Sequence, residues 1–246
     1  MEPSFLQLTD SVWVFPCHPD PQKLQPNVGI IISGSDTVLV DGGNSPRHAR
    51  RILDALDELN APPVRYVIYT HSHFDHFFGA QLFSVPAIAH ELCRQRVQEM
   101  AAKPWSFSYI EDEIKDSPER AIGLRNIARV MDEWRGFRII VPSVTFTAGL
   151  QLYLNGGLLL EIEHVGGQHS PDSSVVRVPE QGVMFVADAY YPPTADYRQP
   201  GDTMDYDLIA RLMQDETIQQ VVDGHSATPL SRDTLLALLD KRGDGG

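Results

Sequence analysis

The chain has 246 residues and is 42% hydrophobic, enough to bury the core of one large domain or two small ones. Its formal charge of −13 argues against a nucleic-acid partner, because a phosphate backbone demands a basic stripe. Two cysteines, Cys17 and Cys93, make neither a disulfide framework nor a CxxC site.

The first third reads as strand-rich. Leu6 to Leu8 and Val12 to Phe15 flank a Thr9-Asp10-Ser11 turn and predict a hairpin. Val28 to Ser33 and Thr37 to Asp41, around Gly34-Ser35-Asp36, predict a second. Ser45 and Pro46 are an N-cap and N1 pair, and a helix runs from there to Asn60, burying Ile52, Leu53, Leu56 and Leu59. Ala61-Pro62-Pro63 ends it. Arg65 to Thr70 is a strand, and a short helix near His76 carries Phe77, Phe78 and Leu82.

From about 91 to 137 the chain is charged and poor in β-branched residues. It reads as a helical insertion of two helices, roughly 91–102 and 117–135, around an aromatic loop, Pro104 to Tyr109. That insertion is expected to cover the site, with Trp105, Phe107 and Tyr109 as candidates for a lid and core packing as their competing role. Strands resume at Arg138 to Val141, Leu150 to Leu154, Leu158 to Glu163, Ser174 to Val178 and Val183 to Ala187. A loop from Tyr190 to Gly201 holds prolines and tyrosines. A helix at Asp205 to Gln214, a strand at Ile218 to Val222 and a helix at Asp233 to Lys241 complete the order. This succession predicts two sheets face to face with helices outside.

The tail Arg242 to Gly246 reads as a frayed end whose Arg-Gly-Asp triplet is coincidental. No apolar run approaches the roughly 18 residues that span a membrane, and Met1 to Phe5 lacks the features of a signal peptide. The expectation is a single domain over 1–246, cytoplasmic, without a membrane or nucleic-acid partner. A homo-oligomer stays open.

Chemistry concentrates in His71-Ser72-His73-Phe74-Asp75-His76, straight after a predicted strand. Imidazole and carboxylate suit zinc, iron or manganese better than calcium or magnesium. His71 and His73 are two apart, which on an extended segment turns both to one face. Asp75 and His76 lie where the chain turns into a helix and can face a second ion. One hexapeptide cannot supply two ions, and further candidates follow: His169, Asp188 and His225, each after an apolar run or a glycine. His18, His48, His90 and His164 match no motif and read as surface or packing residues.

The H-x-H-x-D-H run, the later His, the Asp and the last His, in that order, resemble the metallo-β-lactamase superfamily, with Asp41 in Val40-Asp41-Gly42-Gly43 matching its first motif. The resemblance covers about residues 5 to 240. It implies a four-layer αββα sandwich in the α/β class. It implies metal one on His71, His73 and His169, metal two on Asp75, His76 and His225, and Asp188 bridging them. A bridging carboxylate and hydroxide would offset the repulsion of two ions about 3.5–4 Å apart, and the hydroxide would be the nucleophile. Asp75 is read as the catalytic residue that orients it and passes its proton to the leaving group. Asp41 is read as holding a turn or orienting a metal-bound His.

Departures narrow the branch. The site has no cysteine, unlike the zinc β-lactamases with a Cys ligand. Other β-lactamases lack the bridging Asp. Glyoxalase II enzymes share all seven ligands but add a helical domain, for which 21 residues after His225 leave no room. Flavodiiron proteins have a Glu in the hexapeptide. The N-acyl homoserine lactonases are the nearest fit, down to a Tyr three residues after the bridging Asp. Tyr191 occupies that position and is the candidate oxyanion donor, with packing as the competing role. The resemblance thus implies a zinc enzyme with two ions per chain, hydrolysing an ester, lactone or thioester of a small molecule. The alternative is a mononuclear iron (Fe2+) oxygenase of the persulfide dioxygenase type.

Overall fold

A computed structural model describes residues 5–243, with side chains through residue 240. The start of the N-terminal segment read for a signal, and the end of the Arg-Gly-Asp tail, lie outside the described residues. In chain order the strands and helices are β1 (Leu6–Gln7), β2 (Val12–Phe15), β3 (Val28–Ser33), β4 (Asp36–Val40), α1 (Pro46–Glu58), β5 (Val64–Ile68), α2 (Phe74–Phe77), β6 (Ala87–His90), α3 (Glu91–Ala101), α4 (Phe107–Asp116) and α5 (Ala121–Val130). Then come β7 (Val144–Phe146), β8 (Gly149–Tyr153), β9 (Leu159–His164), β10 (Ser174–Val178), β11 (Val183–Ala187), α6 (Tyr206–Leu212), β12 (Gln220–Asp223), β13 (Leu230–Ser231) and α7 (Arg232–Gly243).

Alternation along the strands explains the layers. Strand side chains point to opposite faces in turn, so a strand apolar at every position is buried on both. In β3, Ile30 packs under the helices while Ile31 packs between the sheets. In β11, Phe185 faces the inter-sheet core and Met184 and Val186 face α6 and α7. Three apolar layers result, one between each pair of neighbours in a helix–sheet–sheet–helix stack. The first sheet runs β1 to β7 in sequence order, antiparallel as far as β4 and parallel from β4 to β7. The second is ordered β13-β12-β11-β10-β9-β8, antiparallel except where β11 pairs with β12. The αββα architecture expected from the sequence is therefore present.

Four local expectations are corrected. The 91–137 segment forms three helices, because Ser106 caps a helix at Phe107, its hydroxyl accepting from the Tyr109 N–H at 3.0 Å. β6 is an additional strand, four buried residues long and too short and alanine-rich to show a period. Residues 138–141 form no strand. Their polar groups go to side chains instead: the Arg138 N–H donates to Gln81 Oε1 at 2.8 Å, and the Ile140 carbonyl accepts from the Tyr69 hydroxyl at 3.0 Å. The short helix begins at Phe74, ahead of His76.

Candidate metal centre

The parallel strands of the first sheet and the β11–β12 pair of the second end at the same edge of the sandwich. Loops leaving the carboxyl ends of such strands are where α/β sheets commonly build sites. The two edges are stitched directly. The Ser174 N–H donates to the Thr70 carbonyl at 2.8 Å, and Asn27 donates from its backbone to Gly224 at 2.7 Å and from its side chain to the Asp223 carbonyl at 2.8 Å.

Each candidate ligand is aimed by a local device. Asp41 leaves β4 with φ of 69°, a left-handed conformation unusual for a residue other than glycine. That turn brings its carboxylate to the Thr70 N–H at 2.9 Å, the Thr70 hydroxyl, and His76 Nδ1 at 2.7 Å. In the neutral ring His76 Nε2 is thereby left facing the cluster with its lone pair. His169 Nδ1 donates to the Pro192 carbonyl at 2.9 Å, freeing its Nε2 in the same way. A register shift between Phe185 and Ala187, with Ala187 at φ 43°, re-aims the chain just before Asp188. Gly224 packs so closely on the Asp188 carboxylate that a Cβ there would collide with Oδ1.

The donor atoms converge. His71 Nε2 lies 3.0 Å from His73 Nδ1, which lies 2.9 Å from His169 Nε2. On the other side, Asp75 Oδ2 is 3.3 Å from His225 Nε2 and 3.5 Å from His76 Nε2. Asp188 Oδ2 lies between, 3.3 Å from His169, 3.5 Å from His225 and 3.6 Å from His76. Three groups with metal-holding geometry follow: His71, His73 and His169; Asp75, His76 and His225; and His71, His76 and Asp188. All seven predicted ligands are among them.

Does a divalent ion suit these residues? Zinc–nitrogen bonds of about 2.0–2.1 Å in a tetrahedron put neighbouring nitrogens roughly 3.3 Å apart, close to the spacing of the His trio. Neutral imidazoles that turn lone pairs toward one another repel unless a cation or proton lies between them. Two buried atoms, His76 Nε2 and Asp188 Oδ1, have no hydrogen-bond partner, a costly state that a coordinated cation would relieve. The residues fit a metal.

Protonation equilibria carry the same signature. Burial, reinforced by neighbouring imidazoles, holds His71 well below the usual range and His73 down to about 4. Burial also opposes charge on His225 and His76, but the carboxylates outweigh it: Asp188 and Asp75 push His225 up to about 10, and Asp75, Asp41 and Asp188 raise His76. Against the cost of burial, His225 and His76 hold Asp188 well below the usual carboxylate range. One half of the cluster therefore keeps neutral nitrogen donors, and the other is a pocket of negative potential.

A cleft of about 290 Å³ opens over the cluster, with His73, Asp75, His169 and Asp188 in its floor. The insertion does wall it, but through Met100, Ile122, Leu124 and Ile127 rather than the aromatic loop. Trp105 instead stacks on Trp134 with ring centroids 5.8 Å apart and meets Phe78 at 5.6 Å, and its Nε1 donates to the Met100 carbonyl. Trp105 is thus part of the helix-layer core, with Trp134, Phe78 and Tyr109 as its aromatic partners, while Phe107 is 44% exposed and packs edge-on against Trp134. Tyr191 packs between two imidazole rings of the cluster, its centroid 6.2 Å from His169 and 6.3 Å from His225.

Two supporting groups escaped the sequence reading. Asp223 is buried; it accepts from the Ser226 N–H at 2.7 Å, the Ser226 hydroxyl at 2.6 Å and the Tyr190 hydroxyl at 2.5 Å, and so shapes the turn that carries His225. Asp172, wholly buried, pairs with Arg96 at 3.1 Å and ties the His169 loop to α3. The Asp-Gly-His-Ser run signalled the first, since Asp accepts from backbone two or three residues on. Nothing local signalled the second. His90 and His164 stack face to face at 3.7 Å across the two sheets, a packing role.

A four-layer αββα sandwich with a His/Asp cluster at one shared sheet edge defines a protein of the metallo-β-lactamase fold. The family model described as "Metallo-beta-lactamase superfamily" matches residues 21–237, and the chain belongs to that superfamily. Among solved structures it is similar to a metallo-beta-lactamase from Pontibacter korlensis (20% identity, 96% of each chain, TM-score 0.65). It is also similar to a metallo-beta-lactamase family protein from Thermus thermophilus (18% identity, 97% of this chain and 81% of that one, TM-score 0.65). At such identities these likenesses speak to fold alone. A linear primary-alkylsulfatase of a Pseudomonas species is 25% identical over 176 residues, 64% of this chain. The chain spans about a third of that relative's length (32%). Among the described residues no helix is long and apolar enough to cross a membrane.

Proposed function

We propose that the chain is a dinuclear zinc hydrolase that cleaves an ester, lactone or thioester bond in a small organic molecule. The observation that carries this reading is the position of Asp188, whose Oδ2 stands within 3.3–3.6 Å of nitrogens from both sides of the cluster. A carboxylate so placed suits a bridge between two cations, and neutral histidines alone would not offset their repulsion. Zinc bound there would supply a water acidic near pH 7 and polarise a carbonyl oxygen.

The chain's own residues have separable tasks. Asp75 is buried, lines the cleft and is held low by His76 and His225 against the cost of burial. It stays ionised, so it can orient a nucleophile and pass a proton to the leaving group. Tyr191 is the candidate donor to the developing oxyanion. Ile122, Leu124 and Ile127 offer an apolar wall for the organic part of the substrate. The likeness to an alkylsulfatase brings sulfate esters into the set worth testing.

The test is elemental analysis of protein purified without added metal, followed by turnover of lactones, thioesters, carboxylic esters, alkyl sulfates and β-lactams. Two zinc ions per chain with hydrolysis of one of the first three classes is the expected result. One tightly held iron and no hydrolysis would replace this reading with the persulfide dioxygenase type of chemistry.

A further inference from the structure

Away from the His/Asp cluster lies a larger cleft, about 570 Å³, between the start of α1 and the segment that follows α5. Arg47, Arg50 and Arg51 line one side and Arg135 and Arg138 the other. An adjoining cleft of about 210 Å³ shares Ser45 and Arg47 and adds Lys23 and Arg129. Against these seven cations the two clefts hold three carboxylates, Asp20, Asp132 and Glu133. In a chain of net charge −13 with 20 lysines and arginines, a third of the cations line these two adjoining clefts.

The local sequence of α1 makes this more than a solvated face. Helix N-termini favour acidic residues, because the first N–H groups present partial positive charge. α1 has no acidic residue in its first turn and carries Arg47 there. Arg50 and Arg51 follow one turn on, on the same side. Only part of this charge is answered internally. Arg47 meets Asp132 at 2.9 Å, and Arg51 donates to Gln25 at 3.0 Å and lies over the Phe15 ring. Arg50 and Arg135 have no hydrogen-bond or ion-pair partner among the described residues. Like charges gathered at the positive end of a helix repel, and a bound polyanion removes that cost. Guanidinium forks match phosphate oxygens two at a time. Leu82, Met131 and Phe137 add an apolar patch.

We propose that this groove is a second ligand site, separate from the metal centre, for a soluble organic phosphate carrying two or more phosphate charges. α5 serves both clefts: its Leu124 and Ile127 line the one over the His/Asp cluster, and Met131, just past its end, lines this one. Arginines on both walls suit a diphosphate or longer better than a single compact anion.

The test is titration calorimetry of the metal-loaded protein with inorganic pyrophosphate and tripolyphosphate, and with citrate as the carboxylate control. It is repeated on the double variant Arg50→Gln, Arg135→Gln. Neither side chain supports another, so the variant should fold, and its melting temperature and metal content are measured alongside. The expected result is saturable pyrophosphate binding, tighter than citrate, weakened by roughly tenfold or more in the variant, since hydrogen bonds to charged groups are being lost. Binding unchanged in the variant would assign the anion to the metals and overturn the proposal, as would no binding or a preference for citrate. Phosphatidic acid vesicles form the lipid arm: arginine-dependent pelleting without binding of soluble pyrophosphate would also overturn it.

Discussion

Asp41 grips His76 by the ring nitrogen that faces away from the cleft, Oδ2 to Nδ1 at 2.7 Å, with both side chains buried. Because Asp41 also takes the Thr70 N–H and hydroxyl, one carboxylate fixes the ring orientation of a candidate ligand and the end of the strand that delivers the hexapeptide. Asp41→Asn should keep the fold and lower metal affinity by about 10–100-fold, the usual cost of losing such a partner. Competition against a chromogenic chelator reads this directly. Unchanged affinity would reduce Asp41 to a turn residue.

Asp188→Ala removes the carboxylate that stands between the two ligand groups. The expected outcome is loss of one of two metals, turnover down by several orders of magnitude, and an intact circular dichroism spectrum. Wild-type turnover on a substrate this protein hydrolyses would dismiss the bridging role.

Stripping the metals should expose a pH dependence. His225, at about 10 in the folded metal-free cluster, has an ordinary value of 6.5, and His76 is also raised. Groups raised on folding stabilise the protein fully below their unfolded value and lose that contribution as pH climbs through the folded one. The chelator-treated protein should therefore lose thermal stability between about pH 7 and 10. Metal-loaded protein should not follow that course, because bound metal displaces the protons. A melting temperature independent of pH in the stripped protein would contradict the charge arrangement.

Tyr191→Phe separates two roles for a ring packed against His169 and His225. As an oxyanion donor its loss should cut kcat by about 10–100-fold with KM and metal content little changed, less than the roughly 10²–10³ of a strong donor because the metal shares the work. As a packing residue its loss should leave kinetics alone. Full kcat in the Phe variant rules out the donor role.

Trp105→Ala tests the reassignment of the aromatic loop. Stacked on Trp134 and packed on Phe78, this half-buried ring should cost roughly 3 kcal/mol of stability when removed. KM should change little. By contrast Ile122→Ala, at an exposed position in the cleft wall, should raise KM for substrates with apolar groups while stability holds. The reverse pattern, a KM effect at Trp105 and a stability loss at Ile122, would restore the lid.

What could be read in the chain divides along physical lines. The order of layers was legible because β3, β10 and β11 are short, nearly continuous apolar runs rich in Val and Ile, bounded by turn signals. The clustering of the seven candidate ligands was legible because each follows a strand end, and all seven do come together. β6 was not, since Ala87-Ile88-Ala89-His90 carries no period. The aromatic loop was misread because a Trp between helices suits a lid and a core equally until its partners, Trp134 and Phe78, are located in space. The Arg96–Asp172 pair was invisible for a related reason: it joins residues 76 apart, and only the fold sets them 3.1 Å from each other.

The candidate ligands come from both sheets: the hexapeptide follows β5 of the first, while His169, Asp188 and His225 follow strands of the second. Any ion they share would act as a rivet across the mouth of the sandwich. Its strength would add to the few hydrogen bonds already joining that edge, at Thr70 and Asn27, while the far end is held separately, the Asn155 N–H donating to Asp36 Oδ2 at 2.8 Å. Chelation should then loosen the molecule from one end, as a book opens at the fore-edge and stays bound at the spine. Amide exchange would quicken first at Thr70, Ser174 and Gly224, while the apolar layer between Ile31 and Val176 stayed protected.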